Sequence, residues 1–255
     1  MTNHRIVLQA AMVRSVLAGL AALLGAALLV PSVGSGESTS IPIANSCPRS
    51  GVEGGSTLSS GLGSTRSETA VVAQGEGATL TGYLQGEGLG LAGATICVYA
   101  RVLSEEENQL LGTVATGQNG RYEFPLPPGP SRSLTAVYRA EQGQLSAATL
   151  LQTRAVPVLR LGSSTVFNKH FAHFSGEIPG PDNDGVMVFL QVRIGHGWRV
   201  FRRYSTRNGG KFSMRYRFTR NFVPTIYLMR AQVLGGPGYP YLPGNSATKE
   251  LRVLP

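Results

Sequence analysis

From Thr79 to the end of the chain, short apolar stretches are separated by glycine, proline and asparagine at intervals of about 8 to 12 residues. Within several stretches the apolar side chains occupy every second position, most clearly over residues 122–126, 186–194 and 212–218. A period of two is typical of strands with one buried face, because successive side chains of a strand point to opposite sides of the sheet. The pattern predicts an all-β chain with these apolar residues in its cores.

An internal repeat accompanies this pattern. Residues 116–122, TGQNGRY, recur ninety positions later as 206–212, TRNGGKF, and each copy is a glycine-containing turn before a basic residue and an aromatic one. Two shorter matches keep offsets of 94 and 91 residues: 81–84 with 175–178, and 138–140 with 229–231. One repeat of this size corresponds to an immunoglobulin-like sandwich. We therefore predict two such sandwiches in tandem.

The start of the chain has a different composition. His4, Arg5 and Arg14 precede an uncharged, mainly apolar run over residues 15–30, which is the layout of a secretory signal. The run has 16 residues, whereas a membrane-spanning helix needs about 20 apolar residues. The segment is therefore short for a permanent anchor, and both cleavage and retention as an anchor are considered. The following residues are rich in Ser, Gly and Thr, which favours a disordered linker. The predicted organisation lists four parts: a signal peptide or anchor at 1–36, a linker at 37–75, a first sandwich at 76–162 and a second, basic sandwich at 163–255.

Four segments of the first repeat carry a family resemblance: residues 91–98 (LAGATICV), the turn at 116–122, Phe124, and residues 126–129 (LPPG). Together they resemble the carboxypeptidase regulatory-like family of transthyretin-like sandwiches, over residues 77–161. Gly117 stands where the family usually has an aspartate, and residues 130–132 replace its usual aromatic residue. The resemblance implies a seven-stranded accessory module without catalytic residues. The fold class is then two tandem seven-stranded immunoglobulin/transthyretin-like β-sandwiches, after a signal helix and a disordered linker.

Cys47 and Cys97 are the two cysteines of the chain. In a protein bound for an oxidising compartment such a pair tends to form a disulfide, which would attach the linker to the first sandwich. The alternative is that Cys97 is a buried small apolar residue and Cys47 is free or pairs with another molecule.

Charge is distributed unevenly along the chain. Residues 37–155 contain 7 Lys and Arg against 10 Asp and Glu, whereas residues 156–255 contain 14 against 4, so the formal net charge of +9 comes almost entirely from the second repeat. Basic residues concentrate on two predicted strands and their turn, which we expect to be neighbours in one sheet. The predicted anion-binding residues are Arg199, Arg203, Lys211, Arg215 and Arg217. The alternative is that this stripe only keeps the sheet soluble and unpaired.

Other candidate sites are weaker. Trp198, Phe201 and Tyr204 could stack on a ligand, but a core position is the favoured interpretation. We expect His170 and His173 to point to opposite sides of a strand and predict no metal site. No cofactor and no enzymatic activity are predicted, because no nucleophile elbow, zinc signature or phosphate loop occurs.

The predicted function is that of an exported or cell-surface, non-catalytic structural and binding module. Its predicted partners are anionic polysaccharide, wall polymer or lipid headgroups, with nucleic acid disfavoured and the membrane reached only through an uncleaved N-terminal segment. The alternatives are a secreted carbohydrate-modifying or hydrolytic enzyme with an unrecognised site, and a mechanical spacer with a rigid contact between its modules.

Overall fold

The computed structural model describes residues 47–49, 55–141, 143–178, 180 and 183–255. The predicted signal at 1–36 and the early part of the predicted linker lie outside these residues. In the described part of the chain, no helix is long and apolar enough to cross a membrane.

Nine strands form the first sandwich. They are β1 (Ser56–Leu62), β2 (Thr69–Ala73), β3 (Ala78–Gly86), β4 (Leu89–Gly90), β5 (Thr95–Val102), β6 (Gln109–Ala115), β7 (Arg121–Leu126), β8 (Arg132–Ala140) and β9 (Gly143–Arg154). In one sheet β3 pairs with β1, β7 and the short β4, and the opposing sheet has the order β2-β9-β8-β5-β6.

The second sandwich has the same topology. Its strands are β10 (Val158–Leu161), β11 (Thr165–Phe167), β12 (Phe171–Glu177), β13 (Met187–Ile194), β14 (Gly197–Ser205), β15 (Lys211–Arg217), β16 (Thr225–Val233), β17 (Gly244–Asn245) and β18 (Lys249–Leu254). A three-stranded sheet, β10-β12-β15, faces a sheet of order β11-β18-β16-β13-β14, with β17 paired to β16. The prediction of tandem immunoglobulin-like sandwiches is confirmed, although each has more strands than the seven expected.

The repeated turn threonines hold equivalent positions in the two sandwiches. Thr116 is buried, donates its backbone N–H to the carbonyl of Ala94 at 2.9 Å, and accepts the Ala94 N–H on its hydroxyl oxygen. Thr206 is equally buried and donates both its backbone N–H and its hydroxyl to the carbonyl of Val186. Each threonine thus ties a turn to the residue just before a central strand, which explains why the residue recurs.

The repeated glycines are required by close backbone contacts. A Cβ on Gly82 would lie 2.0 Å from the carbonyl oxygen of Ser59, and one on Gly176 would lie 1.9 Å from that of Val158. Both positions lie in the middle strand of the smaller sheet, where the neighbouring strand passes too close for any side chain.

The third sequence match does not reflect structural equivalence. Cys97 on β5 pairs with Val137, and the corresponding Phe189 on β13 pairs with Gln232. The offset between equivalent residues of β8 and β16 is therefore 95 residues. The sequence match of 138–140 with 229–231, at an offset of 91, is out of register by four residues.

Two predicted boundaries also differ from the structure. β1 and β2 lie inside the predicted linker, where β1 pairs with β3 and β2 runs parallel to β9. The low hydrophobicity of β1 does not prevent its pairing, because the ladder between two strands is made of backbone hydrogen bonds. At the other boundary, β10 pairs with β12, so the second sandwich begins at Val158 rather than at residue 163.

Candidate functional site

Exposed basic side chains project from one face of β15. Lys211, Arg215 and Arg217 are exposed, whereas Phe212 and the intervening Met214 point into the sandwich. The alternation that predicted this arrangement is a direct result of strand geometry. We call the outer surface formed by Lys211, Arg215 and Arg217 the basic face.

Aromatic and polar residues of β12 extend the basic face. His173 pairs with Arg215, and Phe171 pairs with Arg217. The guanidinium carbons of the two arginines lie 5.0 and 6.0 Å from the centroid of the Phe171 ring, within the range of a cation–π contact. Arg217 also donates its Nε–H to the backbone carbonyl of Lys169. The two guanidinium groups are thereby held side by side over one aromatic ring.

The carboxylate of Glu177 on this sheet already forms an ion pair. Arg160 of β10 and Glu177 of β12 form an ion pair at 2.7 Å. Among the residues that the structure describes between Val158 and Pro255 it is the only ion pair, so Arg215 and Arg217 keep their charge uncompensated by a nearby carboxylate.

Arg199 and Arg203 do not belong to the basic face. They lie on β14, which pairs with β13 in the larger sheet, whereas β15 pairs with β12 in the smaller one. Arg203 lies opposite Phe189, with its guanidinium carbon 5.8 Å from that ring. The expected five-residue stripe on adjacent strands is therefore wrong, because alternation gives the side of a strand and not the sheet to which it belongs.

His170 and His173 line one cavity of about 320 Å³, together with Phe167 and Phe171. The expectation that they point to opposite sides is wrong because His170 lies in the turn before β12, where strand alternation does not apply. No group of three or more His, Cys, Asp or Glu that could hold a metal ion occurs in the described ranges.

The predicted disulfide between Cys47 and Cys97 is present. Cys97 lies on the outer side of β5 and forms a small buried cluster with Cys47, Tyr99 and Val137. Arg139 donates a guanidinium N–H to the carbonyl of Cys47 at 3.1 Å. The bridge thus attaches the segment around Cys47 to the outer surface of the larger sheet.

Trp198 is not a core residue. It lies half-buried on the outer side of β14, with the guanidinium carbon of Arg230 4.2 Å from its ring centroid. The Nε–H of Arg230 donates to the buried side-chain carbonyl of Gln191 at 2.7 Å, and Gln191 donates to Gln232. Burial lowers the pKa of Arg230. Sequence reasoning missed this cluster, for which the only available signal is a glutamine within an apolar strand.

The loop before β17 joins the two sandwiches through backbone hydrogen bonds. Leu242 donates its N–H to the carbonyl of Thr153 at 2.8 Å and accepts that of Ala155 at 3.0 Å. Ser131 donates to the carbonyl of Pro240 at 2.8 Å. A short parallel bridge between Arg154 and Leu242 thus connects the modules.

Arg132 lies at the start of β8, next to this junction, and is almost completely buried. It donates from a guanidinium nitrogen to the carbonyl of Pro127, while its Nε has no partner within the described residues. Burial lowers the pKa of Arg132, and Tyr241 opposes this shift. Burial also raises the pKa of Tyr241 and, more strongly, that of Tyr239. The junction therefore excludes water from several polar groups.

Comparison with known proteins returns distant structural likenesses. No protein-family model and no curated protein matches the chain. It resembles a titin fragment of three immunoglobulin domains (TM-score 0.42, 12% identity, 78% of this chain and 65% of that one). It also resembles a tetra-tandem repeat from the extending region of a large adhesion protein (0.38, 11%, 77% and 48%) and a fragment of the ICAM-5 ectodomain (0.36, 15%, 77% and 51%). The chain spans about half the length of that adhesion-protein repeat.

The topology of the four sheets defines the chain as a tandem of immunoglobulin-like β-sandwiches. Its resemblance over residues 77–161 to the carboxypeptidase regulatory-like family stays a prediction.

Proposed function

We propose that this protein is an exported, non-catalytic structural and binding protein, in which the first sandwich supports the second and the basic face of the second binds an anionic polymer or surface. The observation that carries the proposal is the pair Arg215 and Arg217, adjacent on one strand face and outside any ion pair of the described chain. Guanidinium groups match the oxygens of carboxylates and phosphates through two parallel hydrogen bonds, which is the chemistry that anionic polysaccharide, wall polymer and lipid headgroups share.

The spacing of the basic residues favours a repeating anion over a single small one. Successive same-side residues of a strand are about 7 Å apart, so Lys211, Arg215 and Arg217 extend along β15 as a row. Their side chains emerge from a regular sheet and not from a loop, which reduces the entropy lost when an extended polymer binds along them.

Export is supported by the disulfide between Cys47 and Cys97, because such bonds persist mainly in oxidising compartments. The apolar run at residues 15–30 agrees with this assignment at the level of sequence.

A binding assay at low and at physiological salt tests the proposal. Its three probes are polygalacturonate, poly(glycerol phosphate) and vesicles that contain phosphatidylglycerol. The test variant is Arg215→Ser/Arg217→Ser. Its matched control is Arg199→Ser/Arg203→Ser, which removes the same charge from the other sheet. We expect salt-sensitive binding that the test variant weakens about tenfold or more and the control leaves nearly unchanged.

If the two variants weaken binding equally, binding depends only on the net charge of the protein, which would contradict a role for the basic face. The relative retention on the three probes identifies whether carboxylate, polymeric phosphate or a lipid surface is preferred.

A second candidate function, a mechanical spacer, is favoured by the backbone hydrogen bonds that Thr153, Ala155 and Ser131 make across the junction. A spacer needs modules that do not rotate relative to each other, and contacts across the junction are what opposes such rotation. Absence of binding by the unmodified protein on all three probes would favour this candidate.

A further inference from the structure

The second sandwich contains a cavity of about 500 Å³ that is distinct from the basic face. It lies where β14 of the larger sheet faces β15 and the residues after it in the smaller sheet. Its walls are mainly aromatic, formed by Phe201, Tyr216, Phe218, Tyr227 and Met229. This volume lies within the range of small-molecule sites in proteins, roughly 300 to 1,000 Å³.

A β-bulge shapes one wall. The register between β13 and β14 shifts after Leu190, so that Arg202 lies opposite Leu190 and Phe201 is left without a partner. The extra residue places the ring of Phe201 in the cavity wall, 4.3 Å from the ring of Tyr216. The next residue, Arg202, has its guanidinium carbon 5.4 Å from the same ring.

The remaining walls are held rigidly. The ring of Phe218 lies 4.9 Å from Tyr216 and is stacked on Tyr227 at 5.2 Å. The hydroxyl of Tyr227 accepts a hydrogen bond from the side-chain amide of Asn221 at 2.9 Å, and Asn221 is buried. The aromatic walls therefore keep their positions without a ligand, which lowers the cost of binding one.

Two arginines lie beside the cavity. Arg220 lines it, Arg202 lies over its Tyr216 wall, and none of its lining residues is a carboxylate. Neither arginine belongs to an ion pair of the described chain. Flat apolar walls beside two cations fit a ligand with a planar apolar body and one anionic group.

We propose that this cavity, formed by Phe201, Tyr216, Phe218, Tyr227 and Met229 with Arg202 and Arg220 at its side, binds a small aromatic or otherwise flat apolar anion. The site is independent of the basic face. Arg217 lies on the outer side of β15 and points away from the cavity. Substitutions can therefore disrupt the two sites separately.

Naphthalene-2-sulfonate serves as the probe and naphthalene-2-methanol as its uncharged counterpart, with binding measured by calorimetry. The double variant Arg202→Gln/Arg220→Gln should weaken sulfonate binding about tenfold, because charge-assisted contacts are lost. Thr219→Trp, which places a large ring at an exposed lining position, should block both compounds. The matched control is Arg193→Gln/Arg252→Gln, which removes two exposed charges that belong neither to the cavity nor to the basic face, and it should leave both affinities unchanged.

A methyl NMR experiment on protein labelled at its methionines locates the bound probe even if a variant folds poorly. The Met229 resonance should shift on titration because Met229 lines the cavity, whereas that of Met187, on the outer side of the larger sheet, should not. No saturable binding of the sulfonate, equal affinity for the uncharged compound, or a shift of Met187 without Met229 would each overturn the proposal.

Discussion

Gly244 offers the sharpest test of the junction between the sandwiches. It is buried against the main chain of Ala155, and a Cβ at this position would lie 1.7 Å from the Ala155 carbonyl oxygen and 2.7 Å from its carbonyl carbon. Both contacts are with backbone, so no side-chain rotation can relieve them. Gly244→Ala should therefore push the loop before β17 away from the first sandwich.

The magnitude follows from the hydrogen bonds that this displacement would break. Leu242 exchanges hydrogen bonds with Thr153 and Ala155, and Ser131 donates to Pro240. Three backbone hydrogen bonds at a net value of about 1 kcal/mol each give a loss of about 3 kcal/mol in the coupling between the modules.

Two optical signals can measure this coupling. Trp198, the single tryptophan, lies in the second sandwich, so its fluorescence follows that module alone, while far-ultraviolet circular dichroism follows both. We expect the two thermal transitions to coincide in the unmodified protein and to separate in Gly244→Ala. The matched control is Gly236→Ala in the same loop, since a Cβ on Gly236 would contact nothing within 4 Å.

Two outcomes would refute this reasoning. Separate transitions in the unmodified protein would mean that the junction does not couple the modules. Identical behaviour of Gly244→Ala and Gly236→Ala would mean that the contact with Ala155 does not constrain the loop.

Three further predictions concern the individual sandwiches. Cys47→Ser should destabilise the first sandwich by about 4 kcal/mol, the loop-entropy value for a closure of 50 residues, and should lower the dichroism midpoint more than that of Trp198 fluorescence. Burial raises the pKa of Tyr122, so its contribution to stability is complete below about pH 10 and is lost at higher pH; Tyr122→Phe should flatten the alkaline fall in unfolding free energy measured with urea. Gly176→Ala should destabilise the second sandwich by more than about 2 kcal/mol, which Trp198 fluorescence during urea unfolding would report, because the new methyl group would overlap the Val158 carbonyl.

The repeat could be recognised from the sequence because its residues form hydrogen bonds with the backbone or allow close backbone contacts. Thr116 and Thr206 bond to the main chain, and Gly82 and Gly176 admit a neighbouring strand, so the residue type is fixed by geometry at each position. Residues of this kind stay recognisable when the surrounding core changes. The match in β8 and β16 failed because it relied on side-chain similarity without such a constraint.

The basic face was predicted only in part. Alternation placed Lys211, Arg215 and Arg217 correctly on one side of β15, since that follows from strand geometry alone. Whether β14 pairs with β15 could not be predicted in the same way, and the two strands lie in different sheets. A connection between consecutive strands can stay within one sheet or cross to the other, and the local pattern around residues 206–210 is a turn in either case.

The strand at residues 56–62 escaped detection for a different reason. Ser and Thr dominate β1, whose side chains are mostly exposed or half-buried, so the sequence carries little hydrophobic signal. β1 pairs with β3 along seven residues. This pairing uses backbone N–H and C=O groups, which are present whatever the side chains are.

The differences between the two sandwiches indicate where a partner is to be sought. On the first, Cys47 packs with Cys97, Tyr99 and Val137 on the outer surface of the larger sheet and is held there by the disulfide. At the corresponding place on the second, Phe189 lies beside Arg203, and the surrounding positions carry arginine and glutamine. Since the frameworks are the same, this change is not needed for folding. Covered surfaces in the first module and uncompensated cations in the second are what a support and a contact module would respectively require.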